Sequence, residues 1–247
     1  MSKNTNEVLK RQKDFYNKKY AEWPQLRSVD MFWQHVSDEI IRLLNIKKGK
    51  KYLYLGVGDG YIVEYIAKKT GALIYGIDVS DYSLLFCNKS KGDTSYYICA
   101  DAQQLPFKAN SFSGIIAPAV LHHLPDLKKA FSEFNRVLYD DNIIFSLDPK
   151  DYILRNCFDF ILRRIISEDE IQFKQAELEG KIISAGFNIK SNQPLYIFMP
   201  IIVPLFRRLR LDIPDRLFRF FLSIDTYFAK KRFFQPLSWI ISLVITK

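Results

Sequence analysis

The stretch Leu53-Tyr54-Leu55-Gly56-Val57-Gly58-Asp59-Gly60-Tyr61 decides the fold. An apolar run ends in three glycines at alternate positions, and a helical pattern follows from Tyr61 to Lys69. This reads as a strand, a tight turn and a helix start. Glycine tolerates positive φ and has no Cβ to hold a ligand away from the backbone. The helix start behind it offers unpaired N–H groups and the positive end of the helix dipole. A nucleotide-like or carboxylate-bearing cofactor is the natural occupant of such a turn. Taken alone, the triplet also fits an ordinary glycine turn, so the segments around it must decide.

A second apolar run, Leu73 to Ile77, ends in Asp78, which places a carboxylate at a strand's carboxyl end after the glycines. In nucleotide-binding α/β folds such an acid accepts hydrogen bonds from ribose hydroxyls. A third run, Tyr96 to Cys99, leads to Ala100-Asp101-Ala102, where Asp101 is placed to accept from an adenine amino group. A fourth, Phe112 to Ala117, leads to Leu121-His122-His123-Leu124-Pro125. Each acid by itself is more often a turn or cap residue. Their recurrence in register at successive strand ends points to one shared site.

The series Gly56-Val57-Gly58-Asp59-Gly60, Gly76-Ile77-Asp78-Val79-Ser80, Asp101-Ala102-Gln103-Gln104-Leu105-Pro106-Phe107, Leu121-His122-His123-Leu124 and Arg136-Val137-Leu138 resembles the class I S-adenosylmethionine-dependent methyltransferases of the small-molecule type. The glycine motif alone is shared with dehydrogenases, whereas the later members of the series are not. The resemblance implies a Rossmann-like α/β fold: a seven-stranded, mostly parallel sheet with helices on both faces and the last strand antiparallel beside the fifth. It implies S-adenosylmethionine as cofactor. Gly56, Gly58 and Gly60 would lie against its methionine part, and Asp78 and Asp101, with Val79 and Ala102 beside them, would hold ribose and adenine. Ala117 and Pro118 would form the floor near the sulfonium. N-terminal helices of such relatives lie across the pocket, which makes Tyr16 and Tyr20 lid contacts as well as candidates for plain packing. Three departures stand out: Tyr54 occupies the usual place of an acid, Ser113 replaces an Asp, and Tyr139-Asp140-Asp141-Asn142 replaces a Pro-Gly-Gly turn.

The chain of 247 residues, 48% hydrophobic, fits one domain with insertions and a real core. Cys87, Cys99 and Cys157 are widely spaced and form no Cys/His cluster, so no metal site is expected. Sparse cysteines and a polar start without a signal-peptide pattern suit a cytoplasmic protein. The net charge of +9 is unevenly spread. The first 51 residues hold twelve Lys and Arg against six acids, and residues 198–235 hold eight against three. Solvated helix faces account for such charge in most proteins. An anionic surface, lipid headgroup or nucleic acid would also be attracted.

Four segments follow from the pattern: an N-terminal helical cap over 1–48, the cofactor-binding core over 49–197, a basic and aromatic insertion over 198–236, and a last core strand over 237–247. The periodicity predicts helices over 29–44, 60–69, 81–88 and 126–138, and strands over 51–55, 73–77, 95–99, 112–117, 142–147 and 187–197. Ser167-Glu168-Asp169-Glu170 reads as a capping box that opens a helix ending at Gly186. The apolar run Leu195 to Phe206 is broken by Pro200 and Pro204 and is too short to span a bilayer. Within the insertion, Arg216 to Tyr227 reads as a basic amphipathic helix. It would cover an acceptor pocket, lie at the interface of an anionic membrane, or meet nucleic acid.

The chemistry implied is transfer of an activated methyl group to a small acceptor, including hydrophobic or lipid-linked ones. His122 or His123 is then a candidate base, since histidine titrates in the useful range. The alternatives are an RNA methyltransferase, suggested by charge; a catalytically silent fold that binds a partner or cofactor, suggested by Tyr54; and, more weakly, a dehydrogenase. Sequence leaves the oligomeric state open.

Overall fold

The computed structural model describes residues 27–149, 175–238 and 240–247, together with residues 7, 10, 11, 13–15, 17 and 18. Its centre is one seven-stranded sheet. The strands are β1 (Lys51–Leu55), β2 (Leu73–Asp78), β3 (Ser95–Cys99), β4 (Phe112–Pro118), β5 (Leu138–Pro149), β6 (Asn188–Leu195) and β7 (Ile240–Thr246). The order across the sheet is β3-β2-β1-β4-β5-β7-β6. Strands β1 to β5 are parallel, and β7 runs antiparallel between β5 and β6. The chain winds outward from β1 through β2 to β3, then returns to build β4 and β5 on the other side. The carboxyl ends of β1 and β4 thus flank the switch point at which open α/β sheets bind ligands.

Seven helices pack around the sheet among the described residues: α1 (Arg27–Leu44), α2 (Tyr61–Thr70), α3 (Asp81–Ser90), α4 (Leu127–Val137), α5 (Gln175–Ser184), α6 (Met199–Arg208) and α7 (Asp215–Ala229). The central strand β1 is buried from Tyr52 to Leu55, the continuous apolar run that a strand covered on both faces requires. Tyr52 and Tyr54 enter one core with Val36 and Ile40 of α1, Val63 and Ile66 of α2, and Phe218 of α7. Leu53 and Leu55 enter the other, with Phe131 and Phe134 of α4 and Leu178 and Ile182 of α5. Local signals set several boundaries. Ser80 caps α3 by accepting from the Ser83 N–H at 3.1 Å, Asp126 caps α4 by accepting from the Lys129 N–H at 3.0 Å, and α5 gives way to Gly186 at φ 86°.

Two elements differ from the sequence reading, and one lies partly outside the described residues. No separate turn forms at 139–142: α4 runs straight into β5 at Leu138. The register against β4 jumps from Phe112↔Leu138 to Gly114↔Ile143, so the extra residues are absorbed as an irregularity in the ladder. The prolines at 200 and 204 do not interrupt the chain; both lie inside α6. Pro200 is in the first turn, where a missing N–H costs nothing. The capping box at 167–170 falls outside the described residues, and the helix is described from Gln175.

Within the insertion between β6 and β7, one buried carboxylate ties α7 to the connection from β6 to α6. Asp225 of α7 is fully buried. It accepts from the N–H groups of Ile197 (2.5 Å), Phe198 (3.0 Å) and Met199 (2.9 Å). Those are donors that the start of α6 leaves unpaired. Burial pushes the Asp225 carboxyl upward, and the three N–H groups oppose that shift. Asp225→Ala should lower stability by about 2–3 kcal/mol, since it strands buried donors, whereas Asp225→Asn, which keeps one acceptor, should cost less. Denaturant midpoints of the two variants check this order.

Candidate cofactor and active site

The loop after β1 has the shape its glycines predict. Gly56, Gly58 and Gly60 sit at φ 67°, 58° and 83°, all left-handed. A Cβ on Gly56 would lie 2.7 Å from Val120 Cγ2, and one on Gly60 2.9 Å from Cys87 Sγ. Gly56 and Val57 donate to the Ile77 carbonyl at 2.8 and 3.3 Å, which presses the loop against the end of β2. Below it, Glu64 of α2 accepts from the Tyr97 hydroxyl at 2.6 Å and from the Gly92 N–H at 3.0 Å. The backbone cradle is therefore supported from α2, α3 and β3.

Asp78 closes the loop from the side. Its carboxylate accepts from the Gly58 N–H at 3.2 Å and the Ser80 N–H at 2.9 Å. Burial pushes its carboxyl upward, with the Ser80, Gly58 and Val79 amides acting against the shift. At the next strand end, Asp101 accepts from the Gln103 backbone N–H at 2.8 Å and from its side-chain amide at 3.2 and 3.3 Å. The buried Gln103 in turn accepts from the Asp126 N–H at 2.9 Å. A relay thus fixes Asp101 against the start of α4. The N-terminal segment reaches the same rim: Lys13 pairs with Asp81 at 3.0 Å, and Ser80 Oγ donates to Asn17 Oδ1. Tyr16 and Tyr20 lie outside the described residues.

The other bank of the crevice is the end of β4. Ala117 and Pro118 are buried. Ala119 follows at φ 56° and donates to the Leu147 carbonyl at 2.6 Å, a strained position for a residue with a Cβ. A short 3₁₀ turn, Leu121–His123, comes next. His122 is 3% exposed. Its Nδ1 lies 2.9 Å from Asp148 Oδ1, and its backbone N–H donates to the same oxygen at 3.2 Å. Asp148 also accepts from Ser146 Oγ. With Nδ1–H held by a carboxylate, the tautomer that satisfies this network leaves Nε2 as an acceptor. His123 packs on His122 with ring centroids 3.9 Å apart.

Asp148 and Ser146 are absent from the sequence reading. The available signal was period two: both are polar, both lie on β5, and they alternate with Phe145 and Leu147 in its apolar half, which begins at Ile143. Tyr54, in the place of the usual acid, is 1% exposed and pairs with Gly76 of β2 and Ile116 of β4. Burial raises its hydroxyl well above the ordinary tyrosine range, with Asp59 adding to the shift. Among the described residues no His/Cys/Asp/Glu group could hold a metal ion.

This architecture, with the glycine loop and Asp78 at its switch point, is a Rossmann-like α/β fold like that of the class I S-adenosylmethionine-dependent methyltransferases. Comparison with known proteins agrees: residues 53–145 match the family described as "Methyltransferase domain". The methyltransferase GfsG of Streptomyces halstedii is 28% identical over 158 residues, covering 61% of this chain and 56% of that protein. The sterol 24-C-methyltransferase of Pneumocystis carinii is 30% identical over 164 residues, covering 61% and 43%. The chain thus spans about half the length of these relatives. Among solved structures, Haemonchus contortus phosphoethanolamine N-methyltransferase 2 in complex with S-adenosyl-L-methionine superposes with a TM-score of 0.63. At 19% identity, covering 84% of this chain and 51% of that one, it supports the fold.

The residues present fit S-adenosylmethionine. The left-handed glycines let the loop pack against Val120 and Cys87 where a Cβ would collide, and Asp78, which accepts from two backbone N–H groups, keeps acceptor capacity beside the loop. Asp78→Ala should weaken S-adenosylhomocysteine binding by at least about 2 kcal/mol, the scale of hydrogen bonds to a charged acceptor. In the wild type, affinity should fall with decreasing pH, because protonation removes an acceptor. The raised carboxyl places that fall above the usual carboxylate range. Calorimetry over a pH series checks both.

Proposed function

We propose that this protein transfers the methyl group of S-adenosylmethionine to a small hydrophobic acceptor, with His122 as the proton acceptor. The observation that carries the reading is the juxtaposition across β1 and β4. The Asp78-clamped glycine loop lies on one bank, and the buried His122–Asp148 pair on the other. The names of the relatives, which include sterol methyltransferases, support the acceptor class.

S-adenosylmethionine supplies a methyl already activated by the positive sulfur. The chain therefore needs to bind, align and exclude water rather than to form a covalent intermediate. Gly56, Gly58 and Gly60 would hold the methionine end, Asp78 and Asp101, with Val79 and Ala102 beside them, would hold ribose and adenine, and Ala117 and Pro118 would wall the reacting side. An acceptor methylated at an atom that carries a proton would have to give up that proton. His122 Nε2 takes that proton, and Asp148 at Nδ1 stabilises the resulting imidazolium. Tyr54, at the position where the resemblance expects an acid, is a neutral hydroxyl buried in the core and would offer the cofactor no charge.

Incubation with S-adenosylmethionine labelled in its methyl group and a sterol-containing lipid extract should yield label in the organic phase. Asp148→Asn should lower kcat by roughly 10²-fold, the scale of a general base, and leave S-adenosylhomocysteine affinity unchanged. Label found in RNA instead, or no transfer at all despite cofactor binding, would refute this assignment.

A further inference from the structure

The insertion carries an apolar surface that no part of the described chain covers. On α7, Phe218, Leu222, Asp225 and Ala229 recur at three- and four-residue spacing and face the core. Leu217, Phe220, Ile224 and Tyr227 recur at the same spacing on the far side. Phe220 and Tyr227 are each 58% exposed. The helix is therefore apolar on two faces, whereas a helix with one neighbour needs only one. Phe233, in the turn after α7, is 83% exposed. Of the twelve large apolar side chains exposed among the described residues, eight lie between 198 and 233, so the surface is concentrated rather than scattered.

Charge says what the surface meets. Arg216, Arg219 and Lys230 are exposed along one flank of the outer stripe, and Lys231 and Arg232 are exposed beside Phe233. Lys231 Nζ also lies 4.8 Å over the Tyr227 ring. Of the three acids in residues 198–235, Asp225 is buried in its cap, Asp212 lies in the turn before α7, and Asp215 is the first residue of α7. A second copy docked about a two-fold axis would set these cations against each other. Nucleic acid would take the cations but leave the aliphatic part of the stripe in water. A bilayer containing anionic lipid satisfies both: aromatic and aliphatic groups enter the headgroup–acyl boundary while the flanking cations meet phosphates. No helix among the described residues is long and apolar enough to cross a membrane.

We infer that the outer face of α7 and the turn carrying Phe233 form a docking surface for anionic phospholipid membranes. The α6–α7 unit packs through Val203 and Phe218 on the same core that holds Tyr54 of β1 and Val57 of the loop after it. Docking would set the candidate site beside a reservoir of hydrophobic acceptor, a consequence that rests on the function proposed above; the docking itself does not.

Flotation of the full chain with phosphatidylcholine vesicles, with and without phosphatidylglycerol, tests it independently of activity. The chain should float with the anionic vesicles, stay unbound with neutral ones, and be released by salt. Combined Phe220→Ser, Tyr227→Ser and Phe233→Ser should weaken binding by more than ~10-fold. Arg216→Glu with Arg219→Glu should do the same, at roughly fivefold per cation. All these positions are exposed, so thermal midpoint and S-adenosylhomocysteine affinity should stay at wild-type values. Equal flotation with neutral vesicles, unchanged flotation of the serine variant, dimerisation through these residues, or retention on RNA without vesicle binding would overturn the proposal.

Discussion

The carboxylate of Asp78 is the junction on which the crevice depends. It accepts from Gly58 in the loop after β1 and from Ser80 at the start of α3, and so joins the β1–α2 and β2–α3 connections. A glycine loop by itself is the most permissive backbone in a protein, and its freedom is a cost on folding. Here it is restrained from three directions: by Asp78, by the Ile77 carbonyl, and by Val120 across the sheet. Gly76 belongs to the same constraint, because a Cβ there would meet Val57 Cγ1 at 2.4 Å. The surface offered to a ligand is thus backbone, held in place before any ligand arrives, the condition under which binding energy is not spent on ordering the site.

Three interior or half-interior carboxylates do separate work. Asp78 and Asp225 both accept from backbone N–H groups near a helix start, and burial raises both. Asp225 faces only protein and serves stability, whereas Asp78 stands at the rim beside the cradle. Asp148 instead holds an imidazole, with Ser146 completing its hydrogen bonding. An unpaired carboxylate in any of these places would be costly. The partners therefore matter as much as the acids.

The insertion obeys the same rule on a larger scale. Its inner face is anchored by Asp225 and by apolar packing, so α6 and α7 belong to the core and are not an appendage. Its outer face breaks the ordinary distribution of surface residues, and it does so next to an excess of positive charge. Under the function proposed above, a domain that methylates hydrophobic acceptors would gain from meeting them where they dissolve.

Much of this protein was legible locally. Strand and helix alternation, the glycine turn, and Asp78 and Asp101 at successive strand ends all follow from period, turn chemistry and spacing within some fifty residues. The antiparallel seventh strand beside the fifth followed from the resemblance of the motifs and agrees with the observed order. What sequence could not show are contacts between groups far apart in the chain: His122 with Asp148, Asp225 with the start of α6, and Gln103 with the start of α4. A polar residue in a buried strand announces that it has a partner but not which one, since only the folded sheet brings the two within hydrogen-bond range. The same holds for α7, whose mixed pattern became two distinct faces once packing had assigned one of them to the core. Short-range order is written in neighbouring residues. The pairing of polar groups across the sheet, and the choice of which apolar face stays outside, are decided by tertiary packing, because desolvation acts only after the chain has closed.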